Sequence, residues 1–148
     1  MRKKWLLELA DELEKLASTK RKKMPKFDLE FWGQQRSTKI GKKVPTKLSC
    51  ATAACAVGTA MLLPSFQKQG LKCSVGPEGD MYPIYKGYGG WGAVEKFFLI
   101  DNTDAIYLFE SGSYPPGYTK GKRGLRAVAA RIREFVKAGG APNNFLRF

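Results

Sequence analysis

The sequence predicts an α+β fold, mainly helical: one compact domain, 1–148, of four to five helices with one small β-hairpin. Three observations carry that prediction. Apolar residues recur at helical spacing near both ends of the chain. A run of small residues, bounded by helix start and stop signals, occupies the middle. Two short β-prone runs, LKCSV at 71–75 and MYPIY at 81–85, are joined by the turn sequence GPEGD. The length of 148 residues, with 43% apolar and 12% aromatic composition, suffices for one core.

Taken in order, Leu6, Leu9, Leu13 and Leu16 recur at spacings of three and four, with Ala10 and Ala17 alongside. Glu8, Asp11, Glu12 and Glu14 fall mostly on the opposite face, giving an amphipathic helix docked on the core. TKRKKMPK, at 19–26, is basic and broken by Pro25. In FDLEFWG, the residues Phe27, Leu29, Phe31 and Trp32 are expected to anchor the chain in the core. Gly33 to Lys47 has no apolar periodicity and reads as a mobile loop, so 19–47 forms a basic linker and loop region, partly mobile. A central buried helix is expected from Cys50 to Leu63, capped by Ser49 and ended near Pro64, its small residues admitting close backbone neighbours. In the hairpin, Pro83 pushes the second strand towards an edge.

WGAVEKFFLI, at 91–100, presents Val94, Phe97 and Phe98 at helical spacing. Asp101 is suited to cap a short helix that buries Ala105, Leu108 and Phe109. Tyr114 to Gly117 makes a turn. Leu125, Val128, Ala129, Ile132, Phe135 and Val136 stripe the last helix, which Gly139 and Gly140 stop before a tail at 141–148.

The formal net charge of +13 is unevenly spread. Residues 20–47 hold ten basic and two acidic side chains, and residues 119–148 hold eight and one, whereas 48–118 hold four and six. Two cationic segments flanking a near-neutral centre point to an anionic partner. Within them Lys20, Arg21, Lys22, Lys23, Arg36, Lys39, Lys42, Lys43, Lys120, Lys122, Arg123 and Arg126 are the candidate phosphate contacts. Trp32 and Tyr118 stand beside them in sequence for stacking.

No histidine is present, which removes Ser-His-Asp and Cys-His catalysis, histidine zinc ligands and histidine general bases. Cys50, Cys55 and Cys73 lack a C-x-x-C spacing, so buried reduced thiols are expected, with neither a metal nor another cofactor. Cys50, near the expected helix start, is the thiol best placed for a lowered pKa, but no base partners it. GYGGWG, Gly87 to Gly92, fits G-x-G-x-x-G, yet Pro83 interrupts the strand before it and no βαβ unit surrounds it. What survives is an anion pocket at a helix start, around Tyr88, Gly89, Gly90 and Trp91. The acids in the N-terminal segment interrupt any signal-peptide core, and no apolar run spans a bilayer.

Several stretches together resemble a family of small uncharacterised phage and prophage proteins: FDLEFW, CATAACAVGTA at Cys50–Ala60, EKFFLI, DAIYLFES at Asp104–Ser111 and VAARIREFVKAGG at Val128–Gly140. The chain departs from the family at Ala51 and Thr59, where members often carry glycine and a nearby tryptophan. The resemblance implies fold and origin, a cytoplasmic location in a bacterial host cell, and no catalytic residue. The expectation is a non-enzymatic phage-type accessory protein that binds an anionic partner, nucleic acid first. One alternative is a counter-defence protein sequestering a phosphorylated nucleotide in a pocket walled by Tyr88, Trp91 and Arg126. The other is an inhibitor of a host protein.

Overall fold

The computed structural model describes residues 1–19, 26–30, 32–35, 52–77 and 79–145. The architecture is α+β and mainly helical, as expected. Its helices are α1 (Lys3–Ala17), α2 (Ala56–Ala60), α3 (Pro64–Lys68), α4 (Trp91–Phe98), α5 (Asn102–Phe109) and α6 (Gly121–Ala138), with a 3-10 turn at Ser111–Ser113. Its strands are β1 (Lys26–Phe27), β2 (Gly33–Gln35), β3 (Thr52–Ala54), β4 (Lys72–Val75), β5 (Asp80–Tyr85) and β6 (Tyr88–Gly89). The expected hairpin is β4–β5, but it belongs to a larger sheet ordered β1–β3–β2–β5–β4, with β6 also paired to β5. Among the described strands, only the β1–β3 pair is parallel.

The two long helices form the main helical interface, α1 against α6. Leu6, Leu9, Ala10, Leu13 and Ala17 face Leu125, Val128, Ala129, Ile132 and Phe135, all buried. At the rim, Arg133 reaches back to Asp11 and Glu14, each at 2.8 Å. The hydrogen bond from that guanidinium holds the Glu14 carboxyl below its ordinary range. A second part of the core gathers aromatic rings from α1, α3, β5 and α4 around Phe97.

The central small-residue run departs most from expectation. Thr52–Ala54 is extended, and the helix that follows is only five residues long. Alanine favours a helix, but the gap between β1 and β2 takes a strand whose backbone pairs on both sides, and tertiary context overrides the weak propensity. Ser49 lies outside the described residues; Cys55 caps α2, its sulfur accepting the Gly58 N–H at 3.3 Å. The helix is nonetheless wholly buried, as a central element should be. Close approach also holds: a Cβ built on Gly58 would overlap the Trp32 carbonyl oxygen.

Other local readings shift too. Gly33–Gln35, read as loop, is a strand between β3 and β5, because its backbone completes both ladders. Residues 36–47 lie outside the described part. Pro64 opens α3, where its absent N–H is one the first turn never uses. Pro83 lies in an interior strand. Its carbonyl accepts the Gly90 N–H at 2.9 Å, so its missing donor faces that same side, between the end of the β2 pairing and the start of β6. The tail begins docked: the Ala141 N–H donates to Asp104 at 3.2 Å, and Phe145 meets Tyr107 edge-on at 4.8 Å. Phe27 and Leu29 are buried anchors, Trp32 is half-buried, and Phe31 lies outside the described residues.

The glycines of GYGGWG have structural work. Lys86 (φ 48°) and Gly87 (φ 83°) form the tight turn between β5 and β6, where both positions need positive φ. Gly90 (φ 60°, ψ −133°) swings the chain from β6 into α4. Asp101 caps α5 as expected, accepting the Asp104 N–H at 2.8 Å. Between these helices Leu99 is held left-handed (φ 52°, ψ 53°) while half exposed, at 52%. A branched side chain pays a steric cost there that glycine avoids. Leu99→Gly should therefore raise stability by about 0.5–1 kcal/mol. A higher urea midpoint at unchanged slope is the expected reading, and a lower midpoint would show that Leu99 packing outweighs the strain.

Candidate functional site

Of the candidate phosphate contacts, Lys20, Arg21, Lys22, Lys23, Arg36, Lys39, Lys42 and Lys43 lie outside the described residues. The other four converge on the start of α6. There the chain folds against β1: the Leu29 N–H donates to the Thr119 carbonyl at 3.0 Å, and Asp28 bridges Lys120. The Lys120 ammonium stands 3.6 Å from the Asp28 carboxylate with its side chain 61% exposed. Lys122, Arg123 and Arg126 are exposed, as is Lys26 on β1. Arg126 donates to the Ala17 carbonyl at 3.4 Å, which sets the end of α1 beside the same shelf. Arg123 sits over the ring of Tyr118, 5.6 Å from its centroid, and that tyrosine is 44% exposed.

The helix start adds to this field. Lys120 precedes α6 in extended conformation, no side chain caps the first turn, and that turn holds no acid. The positive end of this 18-residue helix thus lies where Lys120, Lys122 and Arg123 stand. The later arginines of α6 are structural. Arg133 clamps α1. Arg131 donates to the carbonyls of Tyr107 and Ser113 at 2.9 and 2.8 Å and lies over the Tyr114 ring at 3.7 Å. Burial pushes the Tyr114 hydroxyl well above its ordinary pKa, and it donates to the Leu108 carbonyl at 2.6 Å.

The glycine-rich pocket is divided. Tyr88, 49% exposed and under the Lys96 ammonium at 5.2 Å, belongs to a shallow groove with Leu99 and Ile100. Trp91 faces elsewhere, meeting Trp32 edge-to-face with centroids 4.7 Å apart. Arg126 is at the C-terminal end of α1, while the Phe98 carbonyl accepts the Arg2 N–H at that helix's other end. Tyr88 and Trp91 thus border different hollows, and Arg126 stands beside the Ala17 carbonyl.

Trp32 and Trp91 instead border a cleft of about 560 Å³ with Glu30, Asp80, Glu110 and Ser111 around them. Sequence reasoning did not assemble this group, because about 80 positions separate Glu30 from Glu110 and nothing in local spacing links them. Cys55 closes the inner wall. Burial pushes its thiol up to about 11, so it stays protonated and unreactive at neutral pH. Half-buried Cys73 is likewise pushed up to about 11. Among the described residues, no three His, Cys, Asp or Glu side chains are placed to hold a metal ion, and no helix is long and apolar enough to cross a membrane.

In comparisons with protein-family models, curated proteins and solved structures, nothing matches this chain.

Proposed function

We propose that the protein binds nucleic acid through the cationic shelf at the start of α6. The observation that carries this reading is the grouping of Lys26, Lys120, Lys122, Arg123 and Arg126 around an uncapped helix N-terminus, with Asp28 the acid among them. Phosphate oxygens pair with the ammonium and guanidinium groups and take the free N–H groups of the first turn. Tyr118, already carrying Arg123 on one face, offers a surface for a base. Such contacts hold the phosphate backbone and read little sequence. The nucleotide-sequestering alternative has less support, since Tyr88 and Trp91 border different hollows, and no observation favours the host-inhibitor alternative.

The test is fluorescence anisotropy with labelled single- and double-stranded DNA and RNA across a salt series. Affinity should fall steeply with salt, and Lys122→Ala with Arg123→Ala should lower the log–log slope by about one per cation removed. Tyr118→Ala should weaken single-strand binding by about 1–3 kcal/mol. The reading fails if none of these nucleic acids binds at low salt, or if the double variant binds with an unchanged slope.

A further inference from the structure

The backbone that carries Tyr118 is fixed on both sides of it. The chain enters the turn from Tyr114, which is buried with its hydroxyl donating to the Leu108 carbonyl. The Tyr118 N–H closes the turn on the Pro115 carbonyl at 3.2 Å. Pro116 stands second in that turn, its ring fixing φ, and Gly117 stands third at φ 89°. Thr119, the next residue, is pinned through its carbonyl by the Leu29 N–H. Tyr118 is thus set in place before any ligand arrives, and little ordering cost remains on binding.

The ring is 44% exposed. The Arg123 guanidinium lies 5.6 Å from its centroid, and a Cβ added at Gly117 would stand 3.9 Å from that same guanidinium. Arg123 therefore lies against both the ring and its turn. Lys120 and Lys122, both exposed, stand two and four positions beyond the tyrosine. A base and the phosphates that flank it can meet the ring and these cations together.

Ionic contacts alone favour a duplex, whose phosphates are more densely packed than those of a single strand. An aromatic platform favours the reverse. In a duplex each base is already stacked and paired, and swinging one out costs about as much as one ring contact returns. A single strand offers its bases without that cost.

We infer that the shelf selects single-stranded nucleic acid, an unpaired base stacking on Tyr118 while the adjoining phosphates meet Lys120, Lys122 and Arg123. This selectivity rests on the nucleic-acid reading and adds the strand class to it. Base identity matters little, since every base has a ring face.

The experiment is fluorescence anisotropy of the whole chain at one low salt concentration with three DNA ligands. These are a mixed-sequence strand, the same strand annealed to its complement, and an abasic strand of equal length. The intact strand should bind about tenfold more tightly than either of the others. Tyr118→Ala should lower its affinity about tenfold and leave the duplex within about twofold, while Tyr118→Phe, which keeps the ring, should retain the preference. Lys122→Ala should weaken strand and duplex alike. Duplex or abasic binding as tight as that of the intact strand overturns the selectivity and leaves the nucleic-acid reading standing. An equal loss on strand and duplex in Tyr118→Ala does the same. Binding of none of the three overturns both. Should Tyr118→Ala unfold, the abasic comparison on the unaltered chain decides.

Discussion

Phe97→Ala should lower the melting temperature by about 12 °C. The ring is fully buried and meets four others: Trp5 at 4.5 Å, Phe98 at 5.0 Å, Tyr85 at 5.2 Å and Phe66 at 5.3 Å. Those neighbours come from α1, α4, β5 and α3, so the side chain packs where four elements meet. Removing it loses the transfer free energy of the ring and leaves a cavity that rings held by separate elements cannot close, a cost of about 4 kcal/mol. A domain near this size shifts by about 2–4 °C for each kcal/mol. Phe97→Leu keeps most of the volume and should cost well under half as much. Calorimetry on both variants decides; a loss under about 1.5 kcal/mol for alanine would mean that the cluster repacks and that Phe97 is no hub.

Gly58→Ala is the second large effect, and here two contributions oppose. Alanine is favoured over glycine inside a helix by about 1 kcal/mol, so propensity alone predicts a more stable protein. The added methyl would overlap the Trp32 carbonyl oxygen and lie 2.9 Å from the Ala54 Cβ. The oxygen belongs to backbone, so no side-chain rotation relieves the clash; α2 and the Trp32 segment must separate. That separation also weakens the bonds from the Cys55 N–H and thiol to the same carbonyl. A net loss of about 3 kcal/mol is expected. Tryptophan emission should shift as well, because Trp32 packs on Trp91 at the cleft. A urea transition at or above the wild-type midpoint would contradict the close approach itself.

The contrast between these residues shows what the sequence made legible. Phe97 was readable, because Val94, Phe97 and Phe98 recur at helical spacing and a helix there must bury them. So were the stripes of α1 and α6, the Asp101 cap and the β4–β5 hairpin, each written in neighbouring residues. The central segment was not. Ala51 to Ala60 reads as helix because alanine prefers helix, and only pairing with β1 and β2 makes Thr52–Ala54 extended. Glycine at position 58 was legible as a small residue, but its neighbour, the Trp32 carbonyl, was not. The site divides in the same way. Charge asymmetry marked Lys120, Lys122, Arg123 and Arg126 in advance, since one short segment holds them all. The cleft joins Glu30, Trp32, Asp80, Trp91 and Glu110 from distant segments, so only the fold could assemble it.

The pairing of α1 with α6 constrains how the chain is made. The first helix leaves the ribosome with its leucine seam bare, and its principal mate, α6, follows about a hundred residues later. Until Phe135 has emerged, that seam has only temporary company, so its docking waits for α6. A nascent or truncated product lacking α6 should therefore recruit chaperones or aggregate.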